Sequence, residues 1–188
     1  MNNLITEAEE LQSFIQSKGL EFFFIGGLAV QVWGEPRLTR DIDLTVFTNL
    51  LDERSLIKTF LQEYAPKFSD ADEFALTNRV LPMQTGSGTG IDLLLGGLAD
   101  ISEPLKRSSY QKFTDKISLR VCSPDDLIIM KTAAARSRDW FDIESVIIKQ
   151  PKLEWNYIDQ SLESLRDYDD IEPKITQLRS LRDRFRNT

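Results

Sequence analysis

The chain has 188 residues, of which 41% are hydrophobic and 28% charged, a net charge of −7 and no histidine. That length supports one domain, or one domain with a helical extension, around a full hydrophobic core. Without histidine there is no Ser-His-Asp triad, no Cys-His pair and no histidine-ligated zinc, so any catalysis rests on carboxylates, lysines, arginines, hydroxyls or a metal bound through oxygen.

The N-terminal "MNNLITEAEE" lacks the basic and apolar regions of a signal peptide, and no run of about 18 apolar residues follows, which predicts a soluble cytoplasmic protein with no membrane partner. Thr6 and Glu9 fit a capping box, and Leu11, Phe14 and Ile15 give an apolar face, so a first helix should run to about Lys18 and stop at Gly19. "LEFFFI" reads as a buried strand whose three phenylalanines cannot all share one face. After Gly26 and Gly27, "LAVQVW" forms a short helix ending at Gly34, and the loop "EPRLTR" leads into a second strand, "DIDLTVF". Asn49 is placed to cap a helix reaching about Tyr64, with Leu50, Leu51, Ile57, Phe60 and Leu61 clustered on it.

"EFALTNRVLPM" and "GIDLLLG" read as strands joined through the flexible "QTGSGTG", and "YQKFTDKISLRVC" as a hairpin turning near Asp115 and Lys116. The lone Cys122 has no disulfide partner and reads as a small buried hydrophobe. Ser123, Pro124 and Asp126 make a strong helix start. From there the pattern is helical to the end, divided by Pro151 and Pro173 into about three helices. The last carries Lys174, Arg179, Arg182, Arg184 and Arg186, a solvated face or a dock for RNA. The pattern is α+β: a mixed sheet with flanking helices in a core over residues 1–122, and a helical part packed on it over 123–188.

Asp41 and Asp43 share one face of their strand, while Ile42 and Leu44 take the other. Two carboxylates this close repel unless a cation lies between them, and hard divalent cations such as Mg²⁺ or Mn²⁺ prefer oxygen ligands of this kind. A half-exposed edge strand shows the same alternation. Gly26 and Gly27, at a strand-to-helix junction, let the backbone approach an anion beside the free N–H groups of the helix start; a tight turn is the competing explanation. Asp92 is a lone acid in a very apolar strand, where an unpaired buried carboxylate is costly. A neighbouring strand that sets it beside Asp41 and Asp43 would give a cage for two metal ions about 4 Å apart, as used in in-line nucleotidyl transfer.

These blocks resemble the polymerase-beta-like nucleotidyltransferase superfamily: Ile25-Gly26-Gly27, thirteen residues, then Asp41-Ile42-Asp43, with Asp92 as the third acid. Within it, "GGLAVQVWGEPRLTRDIDL" looks most like the small bacterial enzymes related to the AbiEii toxins of abortive-infection and toxin-antitoxin systems, and "KTAAARSRDWFDIESVI" resembles their second block. The resemblance spans roughly residues 20–148. It implies the nucleotidyltransferase fold, a nucleoside triphosphate such as ATP held by Gly26 and Gly27, Mg²⁺ or Mn²⁺ on Asp41 and Asp43, and Asp92 completing the site and helping to deprotonate an acceptor hydroxyl. Lys131 would contact phosphate, with Asp139 and Asp142 supporting it.

If the helix runs on past Ala135, Lys131 and Arg138 share one basic face. Arg37, Thr39 and Arg40, in the loop before the acidic strand, would clamp phosphate or offset the acids. Arg138, Asp139 and Asp142 also fit a surface ion-pair network. The implied partners are an NTP, an acceptor that is tRNA, a protein or a small molecule, and a cognate antitoxin chain. A non-catalytic descendant acting as a binding module, and a drug-modifying nucleotidyltransferase, stay open as alternatives.

Overall fold

Three consecutive phenylalanines make an interior strand of the sheet. In the computed structural model, which describes residues 2–47, 52–96, 102–166 and 170–186, β1 (Glu21–Phe24) lies between β2 (Asp41–Phe47) and β7 (Ser118–Val121). Phe22 and Phe24 point to one face, opposite Val46 and Leu44, with their rings edge to face at 5.7 Å. Phe23 points to the other face, beside Thr45, and packs on Phe47 at 5.4 Å. All three are buried. Both faces of β1 are therefore covered, as a strand with no polar alternation demands.

Among the described residues the sheet has seven strands, in the order β3 (Ala65–Pro66), β4 (Val80–Gln84), β5 (Gly90–Gly96), β2, β1, β7 and β6 (Ser109–Lys112). β2 pairs with β5 in parallel and β1 with β7 in parallel; the other neighbours are antiparallel. The hairpins expected at "QTGSGTG" and near Asp115 are present as β4/β5 and β6/β7. Ile42, Leu44 and Val46 of β2 share a buried face with Ile91, Leu93 and Leu95 of β5.

The first helix, α1 (Asn2–Ser17), starts four residues before Thr6, so Thr6 and Glu9 are helical residues rather than a cap. Leu4 and Ile5 are buried on the same stripe as Ala8, Leu11 and Ile15, and this packing carries the helix back towards the N-terminus. Phe14 meets Phe60 of α3 (Glu53–Leu61) edge to face at 5.5 Å. Asp52 caps α3 by accepting from Arg54 N–H; the expected cap Asn49, with Leu50 and Leu51, lies outside the described residues. "EFALTN" is not a strand. It belongs to α4 (Ala71–Asn78), which buries Ala71 and Ala75 one turn apart and leaves Phe74 exposed, a helical period that a short apolar run disguises. Arg79, at φ 59°, ends α4 in the left-handed region, and β4 begins at the next residue. β3 and α5 (Ser102–Arg107) have no counterpart in the sequence pattern.

Residues 1–28 and 38–122 form one compact unit, and residues 29–37 with 123–188 a second. The second is helical: α6 (Pro124–Ala134), α7 (Ser137–Lys149), α8 (Trp155–Glu163) and α9 (Ile171–Arg186), together with most of α2 (Gly26–Trp33). The predicted cap is present, since Ser123 accepts from Asp126 N–H at 3.0 Å. Asp125 and Asp126 then tie α6 to the start of α8 by accepting from Glu154 N–H and Tyr157 OH, each at 2.7 Å. Among the described residues this part has four helices rather than about three, because Ala135 adopts φ 50° and separates α6 from α7. Pro173 breaks nothing; it sits in the first turn of α9, where no intrahelical donor is lost.

Two members of the basic string of α9 are engaged by α8, and Lys174 donates to Ala133 O of α6 at 2.8 Å. Arg179 reaches Asp159 and Glu163, and Arg182 bonds Asp159 while its guanidinium lies 5.4 Å from the Trp155 ring centre.

Candidate active site

The parallel register of β2 and β5 aligns Asp41 with Gly90 and Asp43 with Asp92. Since side chains alternate, Asp41, Asp43 and Asp92 leave the same face of the sheet, opposite the apolar face built by Ile42, Leu44, Ile91 and Leu93. Asp43 and Asp92 are half-buried, Asp92 with 38% side-chain exposure, whereas Asp41 is open to solvent at 55%. The third acid is thus where the sequence pattern requires it.

Glycines clear the space around these carboxylates. Gly26, the first residue of α2, has φ 55°, and a Cβ there would lie 2.1 Å from Asp43 Oδ2. The Gly27 N–H points at the same oxygen over a long 3.5 Å. A Cβ on Gly27 would meet Thr39 Oγ1 at 2.4 Å, and one on Gly90 would meet Asp41 Oδ1 at 2.1 Å. Three backbone positions therefore admit no side chain because acids, or the threonine preceding them, occupy that volume. Thr39 itself donates to Asp41 O at 3.3 Å, and Arg40 is exposed.

The expected three-carboxylate cage is not closed. Among the described residues no three acidic side chains are gathered tightly enough to hold a metal ion. Instead Lys67, in the loop after β3, places its Nζ 2.8 Å from Asp92 Oδ1 and 4.0 Å from Asp41 Oδ1. A cation thus stands between two of the acids. In donor chemistry, though not in present spacing, the set suits a hard divalent ion: three carboxylates on adjacent strands, with no Cβ at Gly26 or Gly90 to obstruct them.

The second unit holds a different constellation. Lys131, on α6, is 8% exposed and donates to Asp139 at 2.8 Å and to Asp142 at 2.7 Å. Asp142 also takes both arms of Arg37, at 2.7 and 2.8 Å. Burial pushes the Asp142 carboxyl up, but the bonds and charges of Arg37 and Lys131 outweigh it and hold the group below its ordinary value of 3.8. Asp139 accepts in addition from Arg136 N–H at 3.1 Å, capping α7.

The basic face predicted across Lys131, Ala135 and Arg138 does not form, because the helix ends at Ala135; Arg138 is exposed on α7 while Lys131 is buried. Nor are Asp139 and Asp142 surface groups. Lys67 was invisible to the sequence pattern: "YAPKFSD" carries no motif, and only the sheet register brings it to Asp92.

The fold is similar to that of solved nucleotidyltransferases. The chain superposes on an antigenic nucleotidyltransferase-like protein from Paracoccidioides brasiliensis with a TM-score of 0.50 and 17% identity, over 93% of each chain. Against the lincomycin-bound lincosamide antibiotic adenylyltransferase LnuA the TM-score is 0.50 at 13% identity, over 73% of this chain and 92% of that one. Against the antibiotic-resistance factor ANT(2'')-Ia it is 0.51 at 18% identity, over 99% and 92%. The fold is the nucleotidyltransferase fold. No curated protein matches in sequence. The family described as nucleotidyl transferase AbiEii toxin, Type IV TA system, matches residues 11–186, and the chain belongs to it.

Proposed function

We propose that this nucleotidyltransferase is divalent-metal-dependent and moves a nucleoside monophosphate from an NTP, ATP among them, to a hydroxyl on tRNA, protein or a small molecule. The observation that carries this is the register that sets Asp43 opposite Asp92 beneath the Gly26 turn. Asp41 and Asp43 are the groups to hold Mg²⁺ or Mn²⁺, with Asp92 completing the set. Such an ion supplies charge stabilisation for the phosphoryl oxygens and the leaving pyrophosphate. The acceptor oxygen bonds to the α-phosphorus, the bond to pyrophosphate breaks, and Asp92 is assigned to take the hydroxyl proton. Gly26 and Gly27 offer close backbone approach to the triphosphate at the start of α2.

Thr39 and Arg40 adjoin the acids and are assigned to phosphate contact. Lys131, Arg37 and Arg138 belong to the helical unit, where Lys131 and Arg37 are bound to Asp142, and Lys131 also to Asp139, and no phosphate contact is assigned to them. A Type IV toxin-antitoxin setting supplies an antitoxin chain as partner, and the cytoplasm is the compartment where NTP and tRNA are at hand. The test is label transfer from each of the four α-phosphate-labelled NTPs with Mg²⁺ to total tRNA, the protein itself and an antibiotic panel. Transfer should occur to one class of acceptor and fall to background in Asp43→Ala, and NTP with Mg²⁺ should raise the wild-type Tm. Wild-type protein that binds no nucleotide under these conditions would refute the proposal.

A further inference from the structure

We propose that Lys67 is the resident cation of the acidic face, holding Asp92 and Asp41 until a divalent ion displaces it, so that metal binding and the lysine ion pair exclude one another. The inference rests on the assignment of Asp41, Asp43 and Asp92 to a metal. Its starting point is the root of the side chain. Lys67 follows the two-residue β3 and its N–H donates to Pro82 O at 3.1 Å, while Pro82 lies opposite Asp92 in the β4/β5 register. The backbone is thus fixed on the strand next to the acid, and the stem runs back over the sheet to Asp92.

Gly90 makes that path available. A Cβ there would stand 2.9 Å from Lys67 Nζ and 3.0 Å from Cε, as well as against Asp41 Oδ1. One glycine therefore keeps room for both the acid and the ammonium. The ammonium uses Asp92 Oδ1 and approaches Asp41 Oδ1, oxygens that a divalent ion needs, and two cations cannot share them at contact distance. All three side chains are partly exposed, at 31% for Lys67, 38% for Asp92 and 55% for Asp41. An ion pair this wet is weak, so a divalent ion can replace it. Lysine suits the task because its compact charge on a flexible stem leaves without rearranging the backbone.

Binding of Mn²⁺ alone to the full chain, followed by the electron paramagnetic resonance of the free ion at low salt, tests this without any turnover. Lys67→Met should bind Mn²⁺ about three- to fivefold more tightly than wild type, the factor expected for removing a competing exposed ion pair. Lys67→Arg, which keeps the charge, should stay near wild type. Lys58→Met removes an exposed charge on α3 and should change affinity less than about twofold, since a remote charge acts only through a screened field. Equal affinity in Lys67→Met and wild type, or equal tightening in Lys58→Met, overturns the inference and leaves the metal site standing. Absence of Mn²⁺ binding in all four proteins overturns both. Should Lys67→Met fail to fold, Lys67→Gln is measured in its place.

Discussion

Both units set aspartates against a lysine, and they do it in opposite ways. On the sheet, Asp41 and Asp92 face the ammonium of Lys67, and all three side chains are partly exposed to water. In the helical unit, Asp139 and Asp142 are buried and fully matched by Lys131 and Arg37 through four short bonds. An exposed ion pair exchanges partners at little cost and is suited to ligands that come and go. A buried, matched set cannot lose one member without stranding the others, and is suited to holding helices together. The chemistry of the side chains is the same; the surroundings decide the use.

The difference is broken most severely from the closed side. Lys131→Met should destabilise the protein by about 3–5 kcal/mol at neutral pH, because two buried carboxylates lose their shared donor; a shift of the urea midpoint reads it. As Asp142 has its carboxyl held down, its share of this loss should be complete above pH 3.8 and fade as the pH falls below that. A loss under about 1 kcal/mol would show that the helical cluster is as exchangeable as the acids on the sheet.

On the open side, Gly26→Ala should cost about 2 kcal/mol by thermal melting, from left-handed backbone strain plus the collision with Asp43. It should also depress label transfer, since Asp43 must move.

Glu7 sharpens the comparison, being a closed carboxylate in the unit that carries the open ones. It is buried on α1 and accepts from Thr85 at 3.0 Å and from Ser87 and Thr89 over shorter distances, clasping the β4/β5 turn. Burial raises its carboxyl, but the hydroxyls of Ser87, Thr89 and Thr85 together hold it below the ordinary 4.5. A depressed folded-state value means that the stabilisation is complete above pH 4.5 and lost as the pH falls through the folded value. Glu7→Gln should therefore cost about 1–2 kcal/mol at pH 7, and its Tm should approach that of wild type in acid. Smallest of all, Arg54→Ala breaks a fully wet pair with Glu73, both side chains 66% exposed, and should shift stability by less than about 0.5 kcal/mol.

Much of the acidic face was legible beforehand, because its parts are local. Strand alternation sets Asp41 and Asp43 on one face whatever the fold, and glycines at a strand-to-helix junction announce a close approach that Asp43 and Thr39 in fact make. The Ser123 cap and both hairpins follow from adjacent residues in the same way. α4 escapes the local pattern because "EFAL" hides a helical period behind an apolar run, and the core takes only Ala71 and Ala75 from it.

The charged cluster of the helical unit was legible in membership but not in state. Lys131, Asp139 and Asp142 stood out as a motif, yet their spacing could not show that Ala135 would end α6 and fold Lys131 inward. Burial is a property of packing, and no local pattern contains it.

By itself, then, the sequence determined the resemblance to the nucleotidyltransferases, spread over several blocks, and also the glycine turn and the two acids of β2, each of which is encoded within one turn or one strand. Tertiary structure alone decided that Asp92 stands opposite Asp43, that Lys67 bridges Asp92 and Asp41, and that Lys131 is buried with Asp139 and Asp142. Each of those facts depends on a register or a burial that is fixed by residues distant in the chain, and so becomes definite only when the sheet and the helices have packed.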